Sequence, residues 1–570
     1  MSQGSLQKIR SKELNKDTCE VENPCHITSD SVFNKGAAFT HEEREELGLK
    51  ALFPTKVISL EEQIELAYAQ FQDTRTGLDK YIFLRSIQDE NEVLYYALVS
   101  KYIYEMMPCI YTPTVGTACQ KYHRTFLKPR GIYLSLKDKG NLKSILSNLN
   151  QKRVDAIVVT DGEGILGLGD LGTGGMAISI GKLALYTALG GVNPAYTLPI
   201  TLDVGTNNAE LLADKYYPGI REKRVTGAIY DSFIEEFVQA VKSVFPEVLL
   251  QWEDFGKTNA SRVLAKYKDV HCSFNDDIQG TASVVFGGLF AAFKASNQVI
   301  TDQRVVIFGG GTAGIGVADY IVTEMKKHGM SESAAKSRIY VLGRKGLAHT
   351  QSAGLDELKK PYAQPVESLS EWSVANKEQI SLEETVAHVK PTILIGTSTV
   401  AGSFTESIIK TIAKHVERPI IFPLSNPTSK CEALPADILK WTEGRAIVGT
   451  GSPFDPVSYG GSTYTIGQCN NVYIFPGVGR GIIASKSKKV TDEMFVIAAK
   501  KLSEYSPLLE NKFGSLYPKL SDLNVVSLEI AKACGKHAIE KGYSDMSENE
   551  FEDRLKSLNW APVYCKIKKN

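Results

Sequence analysis

The stretch QRVVIFGGGTAGIGVADYIVTEM, residues 303–325, decides the fold of the second half of the chain. An apolar run, Val305 to Gly309, leads directly into the pattern Gly309-x-Gly311-x-x-Gly314, and a helix-forming segment follows at once. Such glycines permit a tight turn and let the backbone approach a pyrophosphate at the N-terminus of a helix. We therefore predict a Rossmann domain with these cofactor-binding residues: Gly309, Gly311, Thr312, Ala313 and Gly314.

A second match to the same pattern, GLGDLG at residues 167–172, has a different interpretation. It carries an acid, Asp170, inside the loop, where a phosphate would be repelled. We predict a tight active-site loop there and a single nucleotide site in the chain.

The spacing of apolar residues along the sequence changes near Arg130. The earlier segments have apolar residues at three-to-four spacing, which predicts helices. From Gly131 onward short β-branched runs alternate with helical segments, which predicts βαβ units and mostly parallel sheets. We expect an α/β protein in four parts, namely a helical domain, a substrate and metal domain, a Rossmann NAD(P) domain and a C-terminal tail. Their predicted bounds are 1–129, 130–276 completed by 470–535, 277–469, and 536–570.

Composition limits the partners. The 570 residues exceed the usual size of one core, and 65 basic and 65 acidic residues leave no net charge. That balance argues against nucleic acid or an anionic membrane as the main partner, so we expect a small ligand.

Nine cysteines without a C-x-x-C indicate a reducing compartment. The N-terminus lacks the features of a signal or transit peptide, and the longest apolar run, near Ala282 to Phe293, is interpreted as too short to cross a bilayer. We expect a cytoplasmic protein.

Two acidic pairs follow two neighbouring predicted strands. Glu253-Asp254 follows VLLQW (248–252), and Asp276-Asp277 comes one residue after VHCSF (270–274). In an open α/β sheet, ligands bind at the carboxyl ends of the strands. Because like charges repel, a divalent cation is the natural neutraliser of such pairs.

The end of the second predicted strand of the Rossmann domain, RIYVLG (338–343), indicates which nicotinamide cofactor is bound. An NAD enzyme usually ends this strand in Asp or Glu, which binds the ribose hydroxyls. Here the strand ends in Gly343, followed by Arg344 and Lys345. Two cations would meet a 2′-phosphate, so the pattern favours NADP over NAD, although a solvated basic turn has the same composition.

Seven motifs, in order along the chain, resemble the large-subunit malic enzymes. They are IYTPTVGTACQKY (110–122), VVTDGEGILGLGDLG (158–172), LDVGTNN (202–208), QWEDFGKTNA (251–260), CSFNDDIQGTA (272–282), PLSNPTSKCE (423–432) and NNVYIFPGVG (470–479). The resemblance runs from about Asn34 to Leu528. It implies oxidative decarboxylation of L-malate to pyruvate and carbon dioxide, with NADP or NAD, with Mg²⁺ or Mn²⁺, and in a homodimer or homotetramer.

The resemblance also implies a role for individual residues. The metal ligands are expected at Glu253, Asp254 and Asp277. The general base is expected at Lys182, the general acid at Tyr111, and a carboxylate coupled to them at Asp276. The amides that bind the substrate are expected at Asn426, Asn470 and Asn471, with Asn426 also beside the cofactor. Lys359, in LDELKKPYAQP (355–365), falls where NADP-preferring members have a lysine.

Each of these residues also has an ordinary interpretation on its own. A lysine in a helix such as ISIGKLALYTAL (178–189) is usually solvated, a tyrosine such as Tyr111 is usually a packed aromatic, and Asn426-Pro427 is usually a turn. Only their occurrence together favours a catalytic site.

One position departs from the family pattern. Many malic enzymes read D-G-E-R where this chain reads Asp161-Gly162-Glu163-Gly164, and the missing arginine binds a malate carboxylate. Arg130 is a candidate replacement. Some bacterial malic enzymes also have glycine there, and so do the malolactic enzymes, which convert malate to lactate with a retained cofactor. Malolactic activity is therefore the nearest alternative, although YTPTVG is the malic form, where malolactic enzymes tend to read Y-D-P-T. A catalytically inactive NADP-binding protein would be expected to lose a base, acid or ligand. A simple 2-hydroxy acid dehydrogenase would need no site of three carboxylates.

Overall fold

The computed structural model describes residues 18–21 and 24–569, which form two compact units. The first unit comprises the described residues up to Phe274, together with Gly479–Val490 and the residues from Gly535 onward. The second comprises Asn275–Val478 and Thr491–Cys534. This division differs from the predicted four parts, because the N-terminal helices and the residues after 535 belong to the first unit. Most of the segment 470–535, predicted to complete the substrate domain, belongs to the second unit.

The α-helices, numbered along the described chain, are α1 (His41–Glu46), α2 (Leu60–Asp73), α3 (Gly77–Glu90), α4 (Glu92–Lys101), α5 (Ile103–Ile110), α6 (Thr114–Lys121), α7 (Leu142–Ser147), α8 (Met176–Ala188), α9 (Ala209–Ala213), α10 (Gly227–Val244), α11 (Lys257–Tyr267), α12 (Thr281–Ser296), α13 (Thr312–Lys327), α14 (Glu332–Lys336), α15 (Leu382–Val389), α16 (Glu406–His415), α17 (Pro435–Trp441), α18 (Phe475–Ser485), α19 (Asp492–Ser503), α20 (Leu523–Glu540) and α21 (Glu548–Ser557). Short 3₁₀ turns lie between them, and a π-helical turn, Asp276–Gly280, precedes α12.

The strands are β1 (Thr18–Val21), β2 (Ile132–Ser135), β3 (Ala156–Thr160), β4 (Thr197–Asp203), β5 (Leu249–Trp252), β6 (Ser273–Asn275), β7 (Val305–Phe308), β8 (Ile339–Gly343), β9 (Gly346–Leu347), β10 (Ile393–Gly396), β11 (Ile420–Pro423), β12 (Ile447–Thr450), β13 (Val457–Tyr459), β14 (Ser462–Tyr464), β15 (Gly467–Gln468) and β16 (Lys566–Lys569).

The sheet of the first unit has the strand order β2-β4-β3-β5-β6. Strand β3 pairs in parallel with β4 on one side and with β5 on the other. All five residues of β3 are buried, as expected for a short apolar run inside a parallel sheet. The strand order reverses at β3, so the carboxyl ends of β3 and β5 border the crevice in which such sheets bind ligands.

The N-terminal helices share the core of this sheet. Helices α4 and α6 pack against α8, every residue of which is buried. A helix that is buried on all sides needs partners on the face away from the sheet, which is why no separate helical domain forms. At the other end, β16 pairs in parallel with β1. Residues 536–570, predicted as a C-terminal tail, therefore contain helix and strand.

The second unit has the seven-stranded order β15-β12-β11-β10-β7-β8-β9. The pairs are parallel except β8 with β9. Strand β7 has β8 on one side and β10 on the other, which is the Rossmann arrangement predicted from residues 303–325. The crevice at this reversal lies at the carboxyl ends of β7 and β10.

One helical stretch of the described chain, Asp276–Ser296, has the length and apolar composition to cross a membrane. The prediction that the run near Ala282 to Phe293 is too short is corrected, because the π-helical turn extends α12 to 21 residues. The most apolar 18 residues of this helix are 72% buried inside the protein. Its packing against α13 and α19 accounts for the composition as that of a core helix.

Candidate active site

Lys182 lies on α8 and is buried in the first unit. Its ammonium nitrogen lies 2.9 Å from Oε1 of Glu253, and the two side chains are 1% and 2% exposed. The ordinary expectation of a solvated lysine is therefore wrong for this helix. Burial beside one carboxylate holds the amine at a defined point, which a general base requires.

A chain of hydrogen bonds holds Glu253 from its other side. Nε2 of Gln251 donates to Oε2 of Glu253 at 2.7 Å, and the hydroxyl of Tyr186 donates to Oε1 of Gln251 at 2.6 Å. Lys182 and Tyr186 are four residues apart, so the same face of α8 contacts both ends of this chain. The carboxylate is thus oriented by two neighbours before any ligand binds.

Tyr111 lies next to the lysine. It follows α5 directly and is buried. The ammonium nitrogen of Lys182 is 5.1 Å from the centroid of the Tyr111 ring, within the range of a cation–π contact. The two residues expected to exchange protons with the substrate are therefore neighbours in the first unit.

Asp254 has a backbone conformation that is uncommon outside glycine. Its φ is 54°, in the left-handed region, which aspartate tolerates better than most residues. Its Oδ1 accepts the N–H of Leu166 at 3.1 Å, and its carbonyl oxygen accepts the N–H of Gly164 at 2.9 Å. These bonds turn the carboxylate toward its neighbour, and one oxygen of Asp254 lies within 4.8 Å of one oxygen of Glu253.

Arg224 joins the start and the middle of the loop between β3 and α8, as a clamp. Its guanidinium donates to both carboxylate oxygens of Asp170, at 3.0 and 2.8 Å, and to the backbone oxygen of Asp161 at 2.9 Å. The acid within GLGDLG therefore holds the loop closed, in agreement with a tight loop and not with a phosphate site.

Asp161 is fully buried beneath this clamp. Burial raises its pKa from 3.8 to about 6, against the opposing effects of Arg224 and of the Tyr230 hydroxyl, which donates to Asp161 at 2.7 Å. A carboxyl group of this loop therefore has a pKa well above that of an ordinary aspartate.

Gly164 leaves little room for the family arginine. An ideal Cβ at this position would lie 2.7 Å from the backbone oxygen of Phe255. Arg130, the sequence-derived candidate for the missing cation, instead donates to Glu92 at 2.7 Å and to the backbone oxygen of Gln88 at 3.2 Å. These contacts commit Arg130 to the N-terminal helices.

The second acidic pair begins the second unit. Asp276 is fully buried, and Nδ2 of Asn471 donates to its Oδ2 at 3.0 Å and to its backbone oxygen at 3.1 Å. Asp277 is half-buried in the same π-helical turn, which directly follows β6. Strands β5 and β6 are neighbours in the sheet order, so the two acidic pairs follow adjacent strands, as predicted.

The other two predicted amides each accept one hydrogen bond. Asn470 accepts the N–H of Val472 at 3.0 Å and so caps the short turn that carries Asn471. Asn426 is exposed, and its Oδ1 accepts the hydroxyl of Ser452 at 2.6 Å. Asn470 therefore supports its neighbour, whereas Asn426 lies on the surface beyond the end of β11.

The nucleotide turn has the geometry that its glycines predict. Gly309 has a φ of 118°, and an ideal Cβ there would lie 2.4 Å from the carbonyl of Thr397. At Gly311 an added Cβ would meet nothing within 4 Å, so open space lies before the first turn of α13, at Thr312 and Ala313. A pyrophosphate usually binds in this position, in front of a helix N-terminus.

Lys359 lies at the carboxyl end of β8. Its Cε would be 2.7 Å from an ideal Cβ on Gly310 and 3.2 Å from one on Gly343. Its ammonium is 3.6 Å from Asp356. Lys345 donates to the backbone oxygen of Ala353 at 3.1 Å, and Arg344 is exposed. The three cations predicted to meet a 2′-phosphate thus surround the end of this strand, with an acid beside one of them.

Two buried charged residues at these loops were not singled out from the sequence. Arg224 stands in REKRVTG (221–227), a segment typical of a solvated basic turn, and Glu432 ends the motif SNPTSKCE (425–432). In the sequence, the feature that points to Arg224 and Glu432 is a charged residue within or close to a predicted loop motif. That signal does not distinguish a buried clamp from a surface charge.

Comparison with known proteins matches both halves of the chain. Residues 88–268 match the family described as "Malic enzyme, N-terminal domain", and residues 278–539 match "Malic enzyme, NAD binding domain". The chain is 49% identical to "NAD-dependent malic enzyme 2" of Photobacterium profundum over 544 residues, covering 95% of this chain and 97% of the relative. It is 47% identical to "NAD-dependent malic enzyme" of Aliivibrio fischeri, with coverage of 95% and 97%.

Among solved structures, the chain is similar to the malic enzyme of Entamoeba histolytica, with a TM-score of 0.53. The two sequences are 22% identical, and the match covers 90% of this chain and 91% of that one. At this identity the likeness concerns the fold alone.

Proposed function

The chain belongs to the malic enzyme family, and from this premise we propose that it oxidises L-malate with a nicotinamide cofactor and a divalent cation, releasing pyruvate and carbon dioxide. It is an oxidoreductase of that family. The observation that carries the proposal for the site is the buried contact of Lys182 with Glu253, beside Tyr111. These are the residue types that a proton-coupled oxidation requires at one point.

The proposed metal ligands are Glu253, Asp254 and Asp277. Support comes from the donor set, because carboxylate oxygens suit Mg²⁺ and Mn²⁺. The Glu253 and Asp254 oxygens lie within 4.8 Å of each other, so a small movement of the side chains would bring both to one ion. Asp277 follows the strand next to β5 in the sheet order.

The proposed cofactor site lies at the nucleotide turn of β7 and α13. The open space at Gly311 fits a pyrophosphate, and Lys359 lies where the adenosine ribose would be expected. The names of the relatives point to NAD. Gly343, Arg344, Lys345 and Lys359 point to NADP, because no acid ends β8 to repel a 2′-phosphate. We propose that the chain uses either cofactor and prefers NADP.

The roles of the side chains follow from this placement. Lys182 takes the proton of the malate hydroxyl in its neutral amine form, after the ammonium has given up its own proton, and Glu253 and Gln251 hold the amine in position. Tyr111 returns a proton to carbon after carbon dioxide leaves. Asp276, hydrogen-bonded to Asn471, is the carboxylate expected to be coupled to the base and the acid. When bound, the cofactor accepts the hydride and the divalent ion stabilises negative charge on the keto oxygen.

One product assay tests this function against its nearest alternative. The protein is incubated with L-malate, NADP and Mn²⁺, and pyruvate, lactate and NADPH are quantified; a parallel sample contains EDTA. We expect equal amounts of pyruvate and NADPH, with neither in EDTA. Gly164 is the observation that favours a malolactic enzyme, and lactate without net NADPH would establish that activity instead.

We also propose that the enzyme is a homodimer or homotetramer in the cytoplasm. Large side chains stand exposed in the first unit, among them Phe126, Tyr104 and Tyr216 at 104%, 76% and 63% exposure. The cysteines whose side chains the structure describes are thiols, which suits a reducing compartment. Light scattering after gel filtration measures the subunit number, and a monomeric mass would contradict the assembly.

A further inference from the structure

Glu432 is a fully buried carboxylate at the carboxyl edge of the second unit's sheet. It lies between the segments that follow β10 and β11, and it is 0% exposed. One oxygen accepts the N–H and the hydroxyl of Ser398, at 2.9 and 2.8 Å, and also the hydroxyl of Ser425. The other accepts the N–H of Ser425 at 3.2 Å. Four donors from two loops thus converge on one side chain.

The last residue of β10 is shaped for this carboxylate. An ideal Cβ on Gly396 would lie 2.5 Å from Cδ of Glu432. Burying a carboxylate is costly unless donors replace its water, and the four bonds supply them. The glycine at the end of β10 and the four donors of the two loops together form a binding site for the Glu432 side chain.

The first of the two loops continues into the nucleotide turn. Thr397, adjacent to Ser398, donates its hydroxyl to the backbone oxygen of Gly309 at 2.6 Å and its N–H to Phe308 at 2.8 Å. Thr399, on the other side, has a φ of 59° and donates its N–H to the Ser425 hydroxyl at 2.8 Å. The strained turn at Thr399 is thus held by the same pair of serines.

The second loop carries a proposed cofactor and substrate amide. Ser425 directly precedes Asn426, whose Oδ1 accepts the hydroxyl of Ser452 at 2.6 Å. In a Rossmann sheet the adenosine half of the cofactor lies at the end of β8 and the pyrophosphate at α13, so the nicotinamide half lies toward β10 and β11. Glu432 therefore joins the two loops that border the reactive end of the cofactor.

We propose that Glu432 is a positioning residue for the nicotinamide half of the cofactor, acting through Ser398 on the Gly309 turn and through Ser425 on Asn426. This role rests on the proposed use of a nicotinamide cofactor at this site. The carboxylate touches neither cofactor nor substrate in this account. Its charge and two acceptor oxygens set the distance between the two loops.

The test compares Glu432→Gln with a matched variant. Glutamine keeps the size of the side chain, but its NH₂ group donates and cannot accept. The hydrogen bonds that one of the two carboxylate oxygens accepts are therefore lost. The matched control is Glu324→Gln, a second buried glutamate of the same unit (2% exposed), which pairs with Lys500 at the far end of α13. Each variant is assayed for its melting temperature, for NADPH binding by fluorescence titration, and for kcat and KM with NADP and malate.

We expect Glu432→Gln to weaken NADPH binding and raise the KM for NADP at least tenfold, with kcat reduced as well. Glu324→Gln is expected to change the melting temperature but neither cofactor constant by more than about twofold. A drop in melting temperature for Glu432→Gln with unchanged Kd, KM and kcat would show a merely structural role and overturn the proposal. If Glu432→Gln does not fold, Ser425→Ala and Ser398→Ala, which each remove one donor, take its place with the same expected rise in KM.

The proposal and the proposed function fail separately. If the unmodified protein binds NADPH but forms no pyruvate, the function is overturned, and the binding comparison still tests Glu432. If the unmodified protein forms pyruvate and Glu432→Gln matches it in every cofactor constant, only the positioning role is overturned.

Discussion

The ammonium group of Lys182 and the carboxylate of Glu253 form a buried ion pair of 2.9 Å, although the two residues lie 71 positions apart in the chain (253 − 182). Neither charge is solvated, so each depends on the other. Because Lys182 is paired with Glu253, any ligand that binds Glu253 and its loop is held at a defined distance from the lysine. In the proposed mechanism, the pair links proton transfer by Lys182 to ligand binding at the end of β5.

Lys182→Ala should abolish malate oxidation. A positioned general base contributes about 10²- to 10⁴-fold, and kcat is expected to fall by that factor. Lys242→Ala, an exposed lysine of the same unit, serves as the control and should retain its activity. Circular dichroism checks folding, because the variant leaves Glu253 without this buried partner. A folded Lys182→Ala enzyme with most of its kcat would require another base.

Tyr111→Phe should separate the two halves of the reaction. The ring next to Lys182 stays, and only the hydroxyl proposed to return a proton to carbon is lost. We expect a burst of NADPH close to one per site, followed by turnover slowed about 10²- to 10⁴-fold. Stopped-flow absorbance measures the burst. Loss of the burst together with turnover would assign Tyr111 to the oxidation step instead.

Asp254→Asn should weaken metal binding while the backbone is kept. Asparagine tolerates the left-handed conformation of this residue, with its φ of 54°, so the turn remains and one negative charge is removed. We expect Mn²⁺ affinity, measured by calorimetry, to fall at least tenfold, with no loss of melting temperature in EDTA. Asp277→Ala should lower activity by orders of magnitude through the same loss of a ligand. Undiminished Mn²⁺ binding in both variants would place the ion elsewhere.

Lys359→Gln should reduce the preference for NADP. A charge-assisted contact contributes roughly 1.5–3 kcal/mol, which solvent and the neighbouring Asp356 diminish. We expect kcat/KM for NADP to exceed that for NAD in the unmodified enzyme at low salt, and the ratio to fall about tenfold in the variant. Asp356→Asn, which frees the lysine, should raise the ratio. Equal or better use of NAD by the unmodified enzyme would show that these cations do not select the cofactor.

Asp161→Asn should change how stability depends on pH. Burial raises the pKa of Asp161 from 3.8 to about 6, so between these values the folded state binds more protons than the unfolded state. The contribution of this group to the free energy of unfolding therefore falls as pH rises from about 4 to about 6, by on the order of 3 kcal/mol. Urea unfolding at several pH values should show the unmodified protein gaining stability relative to the variant as pH falls from 7 to 4. A constant difference would mean that Arg224 keeps Asp161 ionised throughout.

The parts of this enzyme that the sequence alone determined are those in which the physics is local. The glycines of residues 309–314 specify a turn within six consecutive positions, and Thr312 begins the helix that follows. Apolar runs bounded by acidic pairs locate Glu253 and Asp277 after two strands, because strand period and turn chemistry are short-range properties. The Rossmann order and the parallel sheets follow from the same alternation of elements.

Only the tertiary structure decided which side chains are buried and what they meet. Lys182 lies in a helix whose sequence permits a solvated face, and its pairing with Glu253 depends on how α8 packs against the sheet. Arg224 and Glu432 resemble surface charges until the loops around them close, because the free energy of a buried charge is set by donors distant in the chain. For the same reason, residues after 535 could not be assigned until β16 was found to pair with β1, 545 positions or more away in the sequence (566 − 21).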